Sequence, residues 1–294
     1  MDIDVSVVIP AYNRSKTIER AIRSVYSQTV PPLEVIVVDD ASTDNTVQIV
    51  EHLQQEFDSL RLYVQKENKG AQEARNVGIK NAKGNWIGFL DSDDEWLPKK
   101  QAIQIELLRK NPQCKAVFGN GYTAIGNAVR YRKGGSFDKE IYSLKDIFCS
   151  EVGFPTILVK KDVLVHIGYL DSKVPAYQEV DTKLRIAGET DFIFDSRPIY
   201  KYHMHSGATI SKDTKRNTDG FRYVVLKNMN LISGIDGIDI VEYYLSGMDD
   251  RAVNRVDKFV YHGLHSLYHL RSGDELFRKV MIGFMRLEFK LRYK

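Results

Sequence analysis

Four residues, Asp91-Ser92-Asp93-Asp94, follow directly on the apolar run Trp86-Ile87-Gly88-Phe89-Leu90. Read as a buried strand, that run carries three carboxylates at its carboxyl end, where open α/β sheets bind their ligands. Carboxylates packed this closely repel one another unless a cation joins them. The cluster therefore points to a hard divalent metal held by oxygen. The alternative is a solvated acidic turn that caps the helix starting near Pro98.

Two further strand ends are polar. Residues 5–9 run into Pro10-Ala11-Tyr12-Asn13, and residues 33–38 into Asp39-Asp40-Ala41-Ser42-Thr43-Asp44. Ser42, Thr43 and Asp44 are residue types that cap helices by default, which explains the Asp39-Asp40 pair less well. Between these segments and the acidic cluster, Asn68-Lys69-Gly70 opens a helix that carries Arg75. A glycine at a helix start, with basic groups beside it, suits a charged ligand. Lys69 reads equally as a solvated surface lysine. Arg75 sits mid-helix, where it can reach an acidic neighbour or a phosphate.

The elements that must position these groups alternate. Residues 5–9, 33–38, 60–64 and 86–90 read as strands, and 15–28, 44–53 and 71–82 as helices. This βαβ succession predicts an α/β fold with a doubly wound, mainly parallel sheet. Parallel strand ends face the same way, so the polar segments should converge on one crevice. Further on, 116–119, 122–125, 156–159, 192–194 and 199–203 read as short strands and 162–167 as a helix. The polar stretch 206–219 reads as a linker. Beyond it, 221–232, 239–245, 252–270 and 274–293 read as helices.

The chain has 294 residues, 43% hydrophobic and 28% charged, with net charge +3. That suits an ordinary globular protein and is too mild a charge to imply nucleic acid as a partner. Cys114 and Cys149 form no metal or redox motif and read as reduced thiols of a cytoplasmic protein. The start, Met1-Asp2-Ile3-Asp4, lacks a signal-peptide pattern, and no apolar run is long enough to span a bilayer. The last helix mixes Phe277, Val280, Phe284 and Leu287 with Arg278, Lys279, Arg286 and Lys290. Packing and homo-oligomerisation through the C-terminal helices is the favoured reading. Peripheral contact with an anionic membrane at its inner face is the minority one.

Taken in order, Val7-Val8-Ile9-Pro10-Ala11-Tyr12-Asn13, Val38-Asp39-Asp40-Ala41-Ser42-Thr43-Asp44, Asn68-Lys69-Gly70, Ala74-Arg75-Asn76-Val77-Gly78 and Phe89-Leu90-Asp91-Ser92-Asp93-Asp94 resemble family 2 glycosyltransferases. The resemblance is strong over residues 3–110 and continues to about 211. It implies the Rossmann-like GT-A fold, here with a C-terminal helical extension. The catalytic domain would span 1–215, with a nucleotide-sugar half to about 110 and an acceptor half after it, and helices would fill 216–294. It also implies inverting transfer of one hexose or N-acetylhexosamine from a UDP-sugar to a glycan, glycolipid or glycoprotein acceptor.

By resemblance, Pro10, Ala11, Tyr12 and Asn13 line the nucleobase pocket, and Asp40 accepts a hydrogen bond from uracil with Asp39 close by. Lys69, Arg75, Asp91 and Ser92 belong to the donor site. Asp91 and Asp93 form an Asp-x-Asp motif for Mn²⁺ or Mg²⁺, and His205 matches a family histidine near the diphosphate or metal. In Tyr177-Gln178-Glu179-Val180-Asp181-Thr182-Lys183-Leu184-Arg185, anchoring on Leu184 and Arg185 puts Glu179 where the family has its catalytic Asp. Glu179 is preferred to Asp181 as general base. The alternative for this segment is an amphipathic helix with an acidic first turn.

Other classes fit less well. No Gly-x-Gly-x-x-Gly follows the first strand, against a dinucleotide dehydrogenase. A haloacid-dehalogenase-like motif belongs after the first strand, not the fourth, and a receiver domain is much shorter. Neither tryptophan completes the Gln-x-x-Arg-Trp of processive synthases. The non-enzymatic alternative is a degenerate homologue that serves as scaffold for another transferase.

Overall fold

The computed structural model describes residues 2–126, 128–135, 139–204, 213–251, 255–271 and 273–293. The chain divides into two compact units, Met1–Ser172 with Ile186–Ser206, and Lys173–Arg185 with Gly207–Lys294.

The first unit opens as β1 (Val5–Ala11), α1 (Ile18–Tyr26), β2 (Glu34–Asp39), α2 (Thr46–Leu53), β3 (Leu60–Val64), α3 (Ala71–Asn81) and β4 (Trp86–Phe89). It continues through β5 (Glu95–Trp96), α4 (Lys100–Lys110), β6 (Ala116–Ile125), β7 (Ala128–Arg132), β8 (Ile141–Tyr142), α5 (Leu144–Phe148), β9 (Leu158–Lys160), α6 (Lys161–His166) and β10 (Phe192–His203). One sheet holds all ten strands in the order β3-β2-β1-β4-β9-β6-β10-β5, with β7 beside β6 and β8 beside β10. β1 pairs in parallel with β2 and β4, β2 with β3, and β10 with β6. β9 runs antiparallel between β4 and β6.

The sequence favours this arrangement because strands covered on both faces are mainly apolar, and the buried polar pair of β1 and β2, Ser6 and Glu34, is satisfied by a 2.7 Å hydrogen bond. Every residue of β1 and β2 is buried. Each such Val or Ile contributes about 1.5–3 kcal/mol by leaving water. α3 lies so close to β1 that a Cβ on Gly78 would stand 2.4 Å from Val8 Cγ1. Asn76 secures the chain beyond α6, donating to Leu170 O at 2.8 Å and accepting from Leu170 N at 3.0 Å.

Several expected elements differ in extent. The candidates at 116–119 and 122–125 are one strand, β6, as are those at 192–194 and 199–203, β10. The strand expected at 156–159 begins later, because Phe154–Thr156 forms a 3₁₀ turn. The polar stretch 206–219 is helical from Thr214, where the Asp213 side chain accepts a hydrogen bond from Arg216 N. Residues 205–212 lie outside the described residues.

The second unit is helical, with α7 (Gln178–Ala187, its last two residues in the first unit), α8 (Thr214–Lys227), α9 (Met229–Ser233), α10 (Ile240–Asp250), α11 (Arg255–Leu270) and α12 (Glu275–Tyr293). Its interior holds a polar knot on the carboxylate of Glu288. Tyr244 donates to it at 2.7 Å, Tyr261 at 3.1 Å, and Arg222 lies 3.3 Å away. Burial and the adjacent Glu288 push the Tyr244 hydroxyl far above its ordinary range. α12 leaves Leu276, Val280, Phe284, Leu287 and Leu291 exposed. Among the described residues no helix is long and apolar enough to cross a membrane. Cys114 and Cys149 are free thiols.

Candidate active site

β1 lies between β2 and β4, and all three point the same way, so their carboxyl ends are neighbours. Ala11 registers with Asp39, Asp40 N donates to Ala11 O at 2.8 Å, and Leu90 N donates to Val8 O at 3.2 Å. Pro10, Ala11, Tyr12, Asn13, Asp39, Asp40, Asp91, Ser92 and Asp93 therefore emerge along one rim. Pro10 and Ala11 are buried within β1, while Tyr12 is 44% exposed at the rim.

Two loop residues there hold left-handed backbone, Asn13 at φ 52° and Ala41 at φ 63°. For Ala this conformation is costly and persists only where the surroundings impose it. A reciprocal clasp does so. Asn13 N donates to Ser42 Oγ at 2.8 Å, and Asn13 Oδ1 accepts from Thr43 N at 2.8 Å. Asp39 accepts from Ser42 N at 2.9 Å, leaving its second oxygen buried without a partner among the described residues.

Asp40 organises the next segment. One oxygen accepts from Lys69 N and from Gln65 Nε2, both at 2.8 Å, and the other from Gly70 N at 2.7 Å. Gly70 has φ 88°, which favours glycine, and α3 begins immediately after it without a side-chain cap. The amino end of α3 thus reaches the rim uncapped by a side chain, an arrangement that favours anions. The ammonium of Lys69 pairs with Glu67 at 3.3 Å.

Arg75 reaches back from α3. It donates to Gln72 Oε1 at 2.8 Å and to Asp91 Oδ1 at 2.6 Å, and its guanidinium lies 4.2 Å from the centre of the Phe154 ring. Asp93 has Arg14 at 3.4 Å, and Arg20 donates to its carbonyl.

Asp94, third acid of the cluster, was not among the expected site residues. It is buried, with one oxygen accepting from His203 N at 2.9 Å and the other unpartnered among the described residues. Burial, then the charge of Asp91, pushes its carboxyl up to about 9. Arg14, Arg20 and His203 were also missed. No spacing rule links them to residues 73 to 109 positions away, although a basic residue just past the Asn13 turn was a usable signal for Arg14. Burial and the charge of Arg20 hold His203 below the ordinary imidazole range, although Glu95 lies 2.8 Å from its Nε2.

The remaining expected residues lie elsewhere. His205 is outside the described residues. Glu179 and Asp181 stand on α7 in the second unit. Asp181 is buried there, with Arg185 at 2.8 Å, Lys227 at 2.9 Å and Asn228 donating at 2.9 Å. Glu179 is half-buried, with no hydrogen-bond or ion-pair partner among the described residues. The residue opening this segment, Tyr177, also holds a left-handed backbone, φ 61°.

A crevice of this construction, with acids and a helix start at the carboxyl ends of parallel strands, is that of an α/β nucleotide-binding enzyme. Residues 6–165, more than half of the chain, match the family described as glycosyl transferase family 2. The chain belongs to that family and is a glycosyltransferase. An uncharacterized glycosyltransferase of Haemophilus influenzae is 25% identical over 253 residues, 82% of each chain. The Escherichia coli enzyme named UDP-Glc:alpha-D-GlcNAc-diphosphoundecaprenol beta-1,3-glucosyltransferase WfgD is 40% identical over 126 residues, 43% of this chain and 48% of that one. Among solved structures, Staphylococcus aureus TarS 1–349 in complex with UDP-GlcNAc superposes with TM-score 0.68 at 19% identity, covering 99% of this chain and 93% of that one. The fold is therefore GT-A, with further helices following the sheet.

Proposed function

We propose that the protein transfers one hexose or N-acetylhexosamine from a UDP-sugar to a hydroxyl of a glycan, glycolipid or glycoprotein, inverting the anomeric carbon. The observation that carries this reading is the shared rim. Asp40 holds the amino end of α3, and Arg75 on that helix grips Asp91, beside the acids that follow β4. The names of WfgD and of the TarS complex both specify UDP-sugars, which supports a UDP-sugar donor.

Pro10, Ala11, Tyr12 and Asn13 would line the base, and Asp40 would bond uracil with Asp39 beside it. Arg75, Lys69, Asp91 and Ser92 would border the ribose and diphosphate. The acids fit a hard cation, because they offer oxygen alone and one buried carboxylate oxygen of the cluster, on Asp94, lacks a partner among the described residues. Asp93 and Asp91 would hold Mn²⁺ or Mg²⁺, with His205 a further ligand. Such a cation offsets the charge that develops on the departing diphosphate.

We assign Glu179 as the base. It accepts the acceptor hydroxyl's proton as that oxygen bonds to the anomeric carbon and the bond to UDP breaks. Its carboxylate, without a partner among the described residues, supports this over Asp181, whose oxygens are already committed to Arg185, Lys227 and Asn228. Catalysis would then draw on residues 1–215. The exposed apolar stripe of α12 supports homo-oligomerisation through the helices of 216–294. Light scattering of the parent and of Leu287→Asp tests it, a dimer becoming monomer.

The decisive test is a panel of UDP-sugars with the purified protein, with and without Mn²⁺. Release of UDP from one donor, lost in Asp93→Ala, is expected. Donor binding without any turnover across donors and acceptors would favour a scaffold instead.

A further inference from the structure

We propose that Glu242, His265 and His269 form a binding site for a borderline divalent metal of the Zn²⁺ type, separate from the acidic crevice and confined to the second unit. His265 and His269 lie one turn apart on α11, a spacing that places both rings on one helix face. Glu242 projects from the first turn of α10 onto that face. Nε2 of His265 lies 2.7 Å from Glu242 Oε1, and Nε2 of His269 lies 3.2 Å from the same oxygen. One ligand atom from each of the three residues falls within 4.8 Å of the others.

This convergence exceeds what an ion pair needs. A His–Glu pair is satisfied by one ring and one oxygen, as in the neighbouring pair of His262 and Asp249 at 2.9 Å. Here two imidazoles aim the same ring nitrogen at a single oxygen. Their ring centres are 4.8 Å apart, and the planes are tilted by 46°, so the rings converge without stacking. A tetrahedral Zn²⁺ with bonds near 2.0–2.1 Å sets its ligand atoms about 3.4 Å apart. The 2.7 and 3.2 Å separations would open by about 0.7 and 0.2 Å, and the third, no more than 4.8 Å, would settle at the same value. Two imidazoles and one carboxylate are a donor set that selects a borderline ion over Mg²⁺ or Ca²⁺, and three protein ligands leave one position for water.

Access is open. The His269 side chain is 63% exposed, and Glu242 also lines a cavity of about 460 Å³ bounded by Asp239, Asp250 and Arg251. A bound ion would clip α10 to α11 and stiffen that helix pair.

The test uses the full chain in excess Mg²⁺, which occupies oxygen-only sites, with Co²⁺ as a spectroscopic probe and Zn²⁺ as competitor. A tetrahedral, nitrogen-ligated Co²⁺ ion absorbs intensely in the visible, whereas an octahedral, oxygen-ligated one absorbs weakly. The expected result is one intense spectrum per chain, displaced by one equivalent of Zn²⁺ and retained in Asp93→Ala. His269→Ala and Glu242→Gln should weaken Zn²⁺ binding by about 100-fold or more, beyond the 10–100-fold cost of losing an outer-shell partner. Zn²⁺ should raise the melting temperature of the parent and not that of His269→Ala, whose metal-free melting temperature should match the parent's. An intense spectrum unchanged in His269→Ala, one lost in Asp93→Ala, or none in the parent would overturn the site.

Discussion

Arg75 and Asp91 form a 2.6 Å ion pair between the middle of α3 and the end of β4, with the Arg75 side chain 6% exposed and that of Asp91 31%. The pair uses one carboxylate oxygen of Asp91, Oδ1. It also commits the Arg75 charge to an acidic neighbour, one of the two partners its place in the sequence offered, the other being a phosphate.

Arg75→Lys keeps the charge but cannot span Gln72 and Asp91 together or lie flat on Phe154. A charge-assisted hydrogen bond is worth about 1.5–3 kcal/mol, so kcat/KM for UDP release should fall about 10- to 100-fold. Steady-state kinetics check this; a rate within twofold of the parent would remove Arg75 from the donor site.

The two acids of α7 should respond in opposite ways. Glu179→Gln is expected to lower transfer by about 10²–10⁴ while leaving the melting temperature and UDP affinity unchanged. Asp181→Ala would leave Lys227 and Arg185 without their buried partner, at a cost of about 3–5 kcal/mol in stability. Urea titration and transfer assays on both variants separate base from structural acid. Full activity in Glu179→Gln would return the role to Asp181.

Asp94 makes the metal-free protein sensitive to pH. Its carboxyl titrates near 9 folded against 3.8 unfolded, so between those values the folded state binds the extra proton. The stability this group contributes is fully present below 3.8 and is lost as pH rises toward 9. The slope is at most about 1.4 kcal/mol per pH unit. Asp94→Asn copies the protonated shape and does not titrate. Its melting temperature in EDTA should therefore exceed the parent's by a margin that widens from pH 5 to pH 8. A constant margin would mean Asp94 is ionised throughout.

Glu288 is the keystone of the helical unit, since Tyr244, Tyr261, Arg222 and Arg292 all meet its carboxylate. Glu288→Ala should destabilise by about 3–5 kcal/mol, because it strands the buried Arg222 charge and two hydroxyls. Chemical denaturation measures it, and a change below about 1 kcal/mol would show that water replaces the carboxylate.

The first four strands and three helices were legible because β1, β2 and β4, buried on both faces, are mostly apolar, and β3 is a short run with apolar residues at alternate positions. Pro198 and its neighbours Ser196 and Arg197 hid the continuity of β10, which passes them through a register shift against β6. β5 and β8 have two residues each, too few for any periodicity to show. Asp213 starting α8 was obscured by a polar composition that also suits linkers, although Asp is itself a common helix cap.

Residue order alone determined which groups stand at the strand ends, since chain direction and apolar run length decide where a parallel strand stops. It also identified the family, because five short motifs in one order carry more information than any one of them. Only the tertiary structure decided which of those groups are committed to one another. Asp40 is bound to backbone thirty residues on, Arg75 to Asp91, Asp181 to α8 and the residue after it, and two histidines to Glu242. Such pairings depend on side-chain reach and burial across elements distant in the chain, and no local pattern encodes either.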